Sequence, residues 1–389
     1  MKKKIIILGS TGSIGKTVLK NINNQNFKII LLSTNKSVKK LFKQAILYKV
    51  KNVIIEDEQR FKNNKYLFYK NNINAYHGLK NIKKIVKVKS DYCVNSISGI
   101  NGLKPTLDVI PLTKNILIAN KESIICGWNL IKIKLKKNKT KFIPIDSEHF
   151  SIFSLIKNDK LSDIKQIIIT ASGGPFLHTP INRISNIKPK IALKHPNWSM
   201  GKKISIDSST MMNKVFEYIE ALKIFNIKKE KLSILIQPSS FIHAIVIYKG
   251  NLIKFLAHET NMGIPISNAL EIKNQYNTKL IKKNISLLNN LKFEFPDEKK
   301  FPILSLIKLI PQKTSFFETI LITLNDELVD KYLKNQINYI SIQKNLLNLI
   351  KKPYFLKFYK LKPKNIYDIK NMISNTQKYL EKHIKVYEK

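Results

Sequence analysis

Apolar positions in the first 150 residues come in short runs separated by helix-period stretches. Lys4 to Leu8 is a continuous apolar, β-branched run, the pattern of a strand buried on both faces. It leads directly into Gly9-Ser10-Thr11-Gly12-Ser13-Ile14-Gly15, and a helical pattern follows from Lys16 to Asn21. Phe27 to Leu32, Val53 to Ile55, Tyr92 to Ile97 and Asn115 to Ala119 read as further strands, and Leu103 to Ile110 as a helix. Strands alternating with helices predict a parallel sheet. Ile143 to Phe150 closes this half as a short buried strand ending in a polar burst, Asp146-Ser147-Glu148-His149.

After Ser151 the pattern changes. Ile167 to Thr170 is a strand running into Ala171-Ser172-Gly173-Gly174-Pro175-Phe176, a loop whose backbone can cradle an anion. Lys194 to Lys203 holds His195, Trp198 and Gly201, a composition that suits a lid over a ligand with a glycine hinge. Asp207 to Thr210 reads as the cap of a helix from Met211 to Ala221. Ser233 to Ile236 and Ile242 to Tyr248 read as strands, and Lys249-Gly250-Asn251 as a hairpin turn into Leu252 to Ala257. From Leu304 onward the periodicity is helical: Leu304 to Leu309, Ser315 to Tyr332, Ile340 to Ile350 and Ile366 to Tyr379. The expected fold is α/β. It comprises an N-terminal Rossmann-like parallel sheet (1–150), a central α+β catalytic domain with a mixed sheet and lid loop (151–290), and a C-terminal helical bundle (291–389).

Composition narrows this little. A chain of 389 residues can build two or three domains. The net charge of +43 raises nucleic-acid binding, but among 69 basic residues only Arg60 and Arg183 are arginine, and the lysines are spread evenly. No specific nucleic-acid partner is expected; the charge favours anionic ligands. No apolar run reaches transmembrane length. The apolar stretch after the initial lysines is too short for a signal peptide. Cys93 and Cys126 form no disulfide framework or metal motif. A cytoplasmic protein without a membrane partner is expected.

The strand–glycine turn–helix at 4–21 is the context of dinucleotide binding, with backbone N–H groups offered to a pyrophosphate. The second strand ends in Ser33-Thr34-Asn35-Lys36-Ser37, without the acid that would hold a ribose hydroxyl, and Lys36 suits a 2′-phosphate, hence NADP. Lys121 and Glu122 follow a strand and face the ligand side of the sheet. Asp146 and Glu148, two apart on an extended chain, point to one face and suit a hard cation such as Mg²⁺ or Mn²⁺. Asn213, Glu217 and Glu220 share one helical stripe, with Lys214 one turn before Glu217. That stripe is either a solvent face or a ligand site, with Glu217 as a third carboxylate and Ser208, Asn213 and Lys214 gripping a phosphate.

Together these stretches resemble the 1-deoxy-D-xylulose 5-phosphate reductoisomerase family. The matching motifs are Ile7 to Gly15, Ala119 to Ser123, Pro144 to His149, Ser172 to Phe176, His195 to Ser208, and Thr210 to Ala221, in the family's order and spacing; Leu324 to Glu327 is the best local match further on. The resemblance implies one divalent cation held by Asp146, Glu148 and Glu217. It implies a skeletal rearrangement followed by hydride delivery from NADPH to the resulting aldehyde, giving 2-C-methyl-D-erythritol 4-phosphate, a step of non-mevalonate isoprenoid precursor synthesis. The catalytic set would be Lys121, Asp146, Glu148, His195 and Glu217. Ser172, Ser208, Asn213 and Lys214 would hold the substrate and its phosphate. Lys121, Ser147, Glu148, His195, Trp198 and Glu217 would complete the substrate site. Thr11, Gly12, Ser13, Ile14, Asn35, Lys36, Ser37, Asn120, Glu122 and Gly201 would contact NADPH. A homodimer is implied as well.

The chain departs from the family pattern at Asn35, where glycine is usual, at Ser37, at Gln237, where histidine is common, and at Asn261 and Gly263. A rival reading is a semialdehyde dehydrogenase with Cys126 as nucleophile. It leaves the acids without a task. A non-catalytic binding protein is a third reading, and the intact set of site residues argues against it.

Overall fold

The computed structural model describes residues 2–22, 26–198, 200–272 and 285–384. The chain divides into two compact units, one built from Met1–Phe150 and Met262–Tyr276, the other from Ser151–Asn261 and Asn277–Lys389.

The first unit is a seven-stranded sheet. Its strands are β1 (Lys3–Leu8), β2 (Phe27–Thr34), β3 (Asn52–Ile55), β4 (Asn74–His77), β5 (Ser90–Asn95), β6 (Thr113–Ile118) and β7 (Lys141–Pro144). Their order is β4-β3-β2-β1-β5-β6-β7, and every pairing is parallel. Ile5 to Leu8 of β1 are fully buried, as a central strand with helices on both faces requires. The strand order reverses at the β1/β5 boundary, and ligands of open parallel sheets bind beyond the carboxyl ends at such a switch point. β4 has no counterpart in the sequence pattern: Asn-Ala-Tyr-His at a sheet edge lacks the β-branched run that marks the inner strands. The segment around 262–272, placed by the sequence pattern in the middle part, packs here instead. Its helix Gly263–Ala269 lies against the helix Ser13–Asn21, and Glu271 binds Lys3 Nζ at 2.8 Å and the Tyr92 hydroxyl at 3.2 Å.

The second unit holds a four-stranded mixed sheet of order β11-β10-β8-β9, formed by β8 (Ile164–Ala171), β9 (Leu232–Ile236), β10 (Ile242–Tyr248) and β11 (Ile253–Ala257). β8 and β9 are parallel; β10 is antiparallel to both β8 and β11. Asn251 adopts φ +60° in the β10–β11 turn, a conformation that asparagine tolerates. The helices Tyr339–Leu349 and Ile366–His383 each pack on the helix Phe317–Leu333, and their buried residues include Leu321, Leu328, Leu346 and Leu380. Among the described residues no helix is long and apolar enough to cross a membrane.

Two local expectations change. Asp146 and Glu148 do not lie on a strand: β7 stops at Pro144, and Ser147–Leu155 is a helix. Asp146 stands at its N-terminus, accepting Phe150 N on its carbonyl (2.8 Å) and Glu148 N on its carboxylate (3.3 Å). Similarly, Asp207 to Thr210 do not cap the following helix but end a helix of their own, Lys202–Ser209. Ser205, Ser209 and Thr210 turn their hydroxyls back onto carbonyls three or four residues earlier, which satisfies these buried groups within the segment. The next helix, Met212–Phe225, starts from Met211 at φ +65°.

Candidate active site

At the switch point of the first unit, Gly9 has φ +75°, and a Cβ there would meet the Ser96 carbonyl oxygen at 2.9 Å. A Cβ on Gly15 would meet Ser10 Cα at 2.5 Å, so the helix Ser13–Asn21 packs against the turn only without a side chain. The loop is fixed from beneath by Thr11 Oγ1 to Thr34 Oγ1 (2.7 Å) and Ser10 Oγ to Gln44 (2.8 Å). Gly12 and Ser13 are exposed at the helix start, with Thr11 and Ile14 half-buried beside them. Asn35, Lys36 and Ser37 are exposed just past the end of β2. The residues of this turn and of the β2 end that are expected to contact a nucleotide are therefore carried by neighbouring parallel strands.

Asn120 is different. Its amide donates to the Ile97 carbonyl at 2.5 Å and its oxygen caps Ser123 N at 3.2 Å. The side chain is taken up in holding the helix Lys121–Asn138 to the loop after β5. Lys121 opens that helix, where the dipole disfavours a cation. It is compensated by Asp146, whose Oδ2 lies 2.6 Å from Lys121 Nζ. β6 and β7 are adjacent and pair Ile118 with Pro144, which brings the residues just beyond each strand together.

Around Asp146, burial pushes the carboxyl up, but the Lys121 ammonium and the His149 imidazole outweigh it and hold the group well below the usual carboxylate range. His149 is 1 % exposed, with Nδ1 3.0 Å from Asp146 Oδ1. It is absent from the site set read from sequence; its position three residues after Asp146 becomes informative only once the segment is helical. Glu148 sits in the first turn, favoured by the helix dipole, and accepts the Ser147 hydroxyl at 2.6 Å. Carboxylate oxygens of Asp146 and Glu148 approach within 4.8 Å, a spacing and a hard-oxygen donor pair that fit a divalent cation.

In the second unit the polar stripe of Met212–Phe225 is not a solvent face. Lys214 is 5 % exposed, Glu217 2 % and Glu220 1 %. The Asn213 amide donates to Glu217 Oε1 at 2.5 Å, and Lys214 Nζ forms an ion pair with Glu217 Oε2. Charged groups are buried this deeply only when paired.

Ser172 and His195 form a second cluster. His195 Nδ1 accepts the backbone N–H of Asn197 (3.1 Å) and Trp198 (3.0 Å). The proton of a neutral ring therefore sits on Nε2, which donates to Ser172 Oγ at 3.1 Å. Burial holds the His195 pKa down at about 4, so the ring is neutral at neutral pH. Ser172 Oγ also accepts Gly174 N (3.1 Å), which leaves its hydroxyl proton for a ligand. Asn197 ties this segment to Pro238 O (2.7 Å) and Ser240 Oγ (3.1 Å), and the Trp198 ring meets His243 edge-on at 6.1 Å between centroids. Gly201 needs no glycine: its φ is −67°, and a Cβ there would enter open space, so the expected hinge has no backbone basis. Ser208 is half-buried where Ser205, Ile206, Asp207 and Ser209 are buried.

The departure at Gln237 is accommodated. Its oxygen accepts Phe241 N (2.7 Å) and its amide donates to Ser239 (2.7 Å). Cys126 is buried, which does not suit the exposed thiolate that a nucleophile needs.

Three family models, each describing a part of 1-deoxy-D-xylulose 5-phosphate reductoisomerase, match residues 5–127, 142–225 and 258–379. The last covers the helical region where local motifs were weakest. The enzyme of that name from Pelagibacter ubique (strain HTCC1062) is 50% identical over 378 residues, covering 95% of this chain and 96% of its own. The one from Wolbachia pipientis wMel is 39% identical over 350 residues, 87% of this chain and 88% of its own. Among solved structures, the reductoisomerase from Zymomonas mobilis in complex with NADPH superposes with a TM-score of 0.87 at 29% identity, covering 99% of this chain and 100% of that one. A reductoisomerase in complex with NADPH, fosmidomycin and magnesium gives 0.88 at 29% identity, covering 98% and 99%. By sequence along nearly its whole length and by fold, the chain belongs to the 1-deoxy-D-xylulose 5-phosphate reductoisomerase family.

Proposed function

We infer that the chain converts 1-deoxy-D-xylulose 5-phosphate to 2-C-methyl-D-erythritol 4-phosphate at the expense of NADPH, with one divalent cation, Mg²⁺ or Mn²⁺. The reaction is a step in the synthesis of isoprenoid precursors. The observation that carries this reading, beyond family membership, is the buried Lys214–Glu217 pair on a helix stripe that ordinary packing would make apolar. Such a pair costs desolvation that well-packed hydrophobic residues avoid, so its presence points to use.

Asp146, Glu148 and Glu217 would hold the cation, which when bound supplies Lewis-acid stabilisation of negative charge on the substrate's adjacent oxygens. NADPH supplies the hydride for the aldehyde stage. The protein's own groups do the rest. Lys121 neutralises Asp146 and stands ready to exchange that contact for a substrate oxygen. Neutral His195 orients Ser172, whose free proton donates to the substrate. Ser208, Asn213 and Lys214 bind the phosphate, with Lys214 as its counter-charge. Ser147 positions Glu148. Trp198 covers the substrate and excludes water.

Thr11, Gly12, Ser13, Ile14, Asn35, Lys36, Ser37, Asn120, Glu122 and Gly201 contact NADPH, Asn120 through its backbone since its side chain is engaged. A homodimer accords with the exposed apolar side chains of Leu252, Ile253 and Phe255 on the β11 edge. A cytoplasmic location belongs to the same reading, as does a three-part division at 150/151 and 290/291 in which the segment around 262–272 returns to pack on the first part.

The test is NADPH oxidation with 1-deoxy-D-xylulose 5-phosphate. Turnover should require added Mg²⁺ or Mn²⁺ and vanish with chelator; turnover that survives the chelator overturns the metal role. A second expectation concerns the cofactor. Replacing Lys36 by Ala should raise the Michaelis constant for NADPH by roughly ten- to a hundredfold, the loss of one charge-assisted phosphate contact, and leave that for NADH within about twofold. Equal effects on both would remove Lys36 from the 2′-phosphate site.

A further inference from the structure

Asp207 is a carboxylate 1 % exposed, one residue before Ser208. Its Oδ1 accepts the Asn325 amide at 2.8 Å, across 118 residues of sequence. Its Oδ2 lies 3.0 Å from Lys203 Nζ, which also reaches Asp326 Oδ1 at 3.0 Å. Asn325 is itself 1 % exposed, in the middle of the helix Phe317–Leu333 and flanked by fully buried Leu324 and Leu328. An amide in such a place is unfavourable for helix propensity and for burial unless it makes a specific hydrogen bond.

The same short turn is held from two other sides. Tyr339 donates its hydroxyl toward Ser209 Oγ at 3.1 Å. The serine–glycine loop crosses so closely that a Cβ on Gly174 would meet the Ser208 carbonyl oxygen at 2.8 Å. Every residue of the turn from Ser205 to Thr210 is buried except Ser208. The packing therefore fixes the backbone of this turn and leaves one hydroxyl available.

We propose that Asn325 is a positioning residue for the substrate phosphate: through Asp207 it sets the turn that presents the Ser208 hydroxyl. The proposal rests on the reading of Ser208 as a phosphate ligand. Asn325 touches no substrate. It stops the buried Asp207 carboxylate, and with it the end of the helix Lys202–Ser209, from relaxing to another arrangement. Misplacing a binding group by about an ångström is enough to lose much of its contribution.

The experiment uses the full chain with NADPH and Mg²⁺. Asn325→Ala should raise the Michaelis constant for 1-deoxy-D-xylulose 5-phosphate about tenfold, the loss of one hydrogen bond to a charged group, with that for NADPH within about twofold. Ser208→Ala is measured beside it. The double variant should be no worse than Ser208→Ala alone, since Asn325 acts only through that hydroxyl. The exchange Asp207→Asn with Asn325→Asp re-forms the amide–carboxylate bond in reverse. It should bring the constant back to within about threefold of the native value, and it serves even where Asn325→Ala folds poorly. An unchanged constant in Asn325→Ala beside a raised one in Ser208→Ala overturns the positioning role alone. Unchanged constants in both overturn the Ser208 reading and the proposal with it. An exchange variant as weak as Asn325→Ala shows that the bond is not the cause.

Discussion

Glu217→Gln is expected to lower turnover by about three orders of magnitude and to leave the Michaelis constant for NADPH within about twofold. The substitution keeps the volume and the hydrogen bond from Asn213, and removes only the charge. Two effects compete. Loss of a carboxylate from the proposed metal site would act on the reaction itself. Loss of the partner charge leaves the Lys214 ammonium, 5 % exposed, facing a neutral amide, which costs about 3 kcal/mol of stability in the free protein. The two are separable. Substrate phosphate would supply the missing negative charge beside Lys214, so the stability deficit should shrink when substrate is bound, whereas the turnover deficit should not. Steady-state kinetics, thermal unfolding with and without substrate, and Mn²⁺ binding followed by electron paramagnetic resonance distinguish them. A variant that keeps a tenth of native turnover would remove Glu217 from the metal site.

The second large effect is on stability. Lys223, at the far end of the same helix, places Nζ 2.6 Å from Glu318 Oε1; the side chains are 9% and 2% exposed. Glu318 is in the first turn of the helix Phe317–Leu333, and its other oxygen accepts the Ser315 backbone N–H (3.1 Å) and hydroxyl (3.2 Å). That is a helix-capping arrangement with a lysine attached. Lys223→Ala leaves Glu318 buried with its cap but without a counter-charge. We expect a loss of about 3 kcal/mol, a fall in the unfolding midpoint of roughly 5–10 °C, and a Michaelis constant for substrate within about twofold. Lys223→Met with Glu318→Gln should recover much of the loss, because removing both charges removes the desolvation problem too. Differential scanning calorimetry reads both. A midpoint shift under about 1 °C for Lys223→Ala would mean that the pair is screened by solvent and holds nothing.

Much of this protein is fixed by local sequence. The glycine turn at 9–15 joins a buried strand to a helix, and its glycines are required because a side chain at Gly9, already at φ +75°, or at Gly15 would run into neighbouring backbone. The inner strands, the β10–β11 hairpin and the long C-terminal helices follow from period-2, continuous apolar and 3.6-residue patterns, which need no knowledge of distant residues. The candidate site residues are recognisable as motifs, such as Asn213, Lys214 and Glu217 grouped on one stripe of a single helix by their spacing.

Other features needed the tertiary structure. Whether the stripe on Met212–Phe225 faces water or is buried cannot be read from the helix itself, since the same polar residues suit either. Ser147–Leu155 is helical although Asp146 to Phe150 reads as extended: its start is set by Asp146 as cap, a choice that local pattern leaves open between two periods. The proton on His195 Nε2 is fixed by the two backbone N–H groups that Nδ1 accepts. The short sequence near Asn325 carries no sign that it reaches Asp207. Residues 118 positions apart meet only because helix packing brings them together, and the cost of burying an amide and a carboxylate selects that pairing.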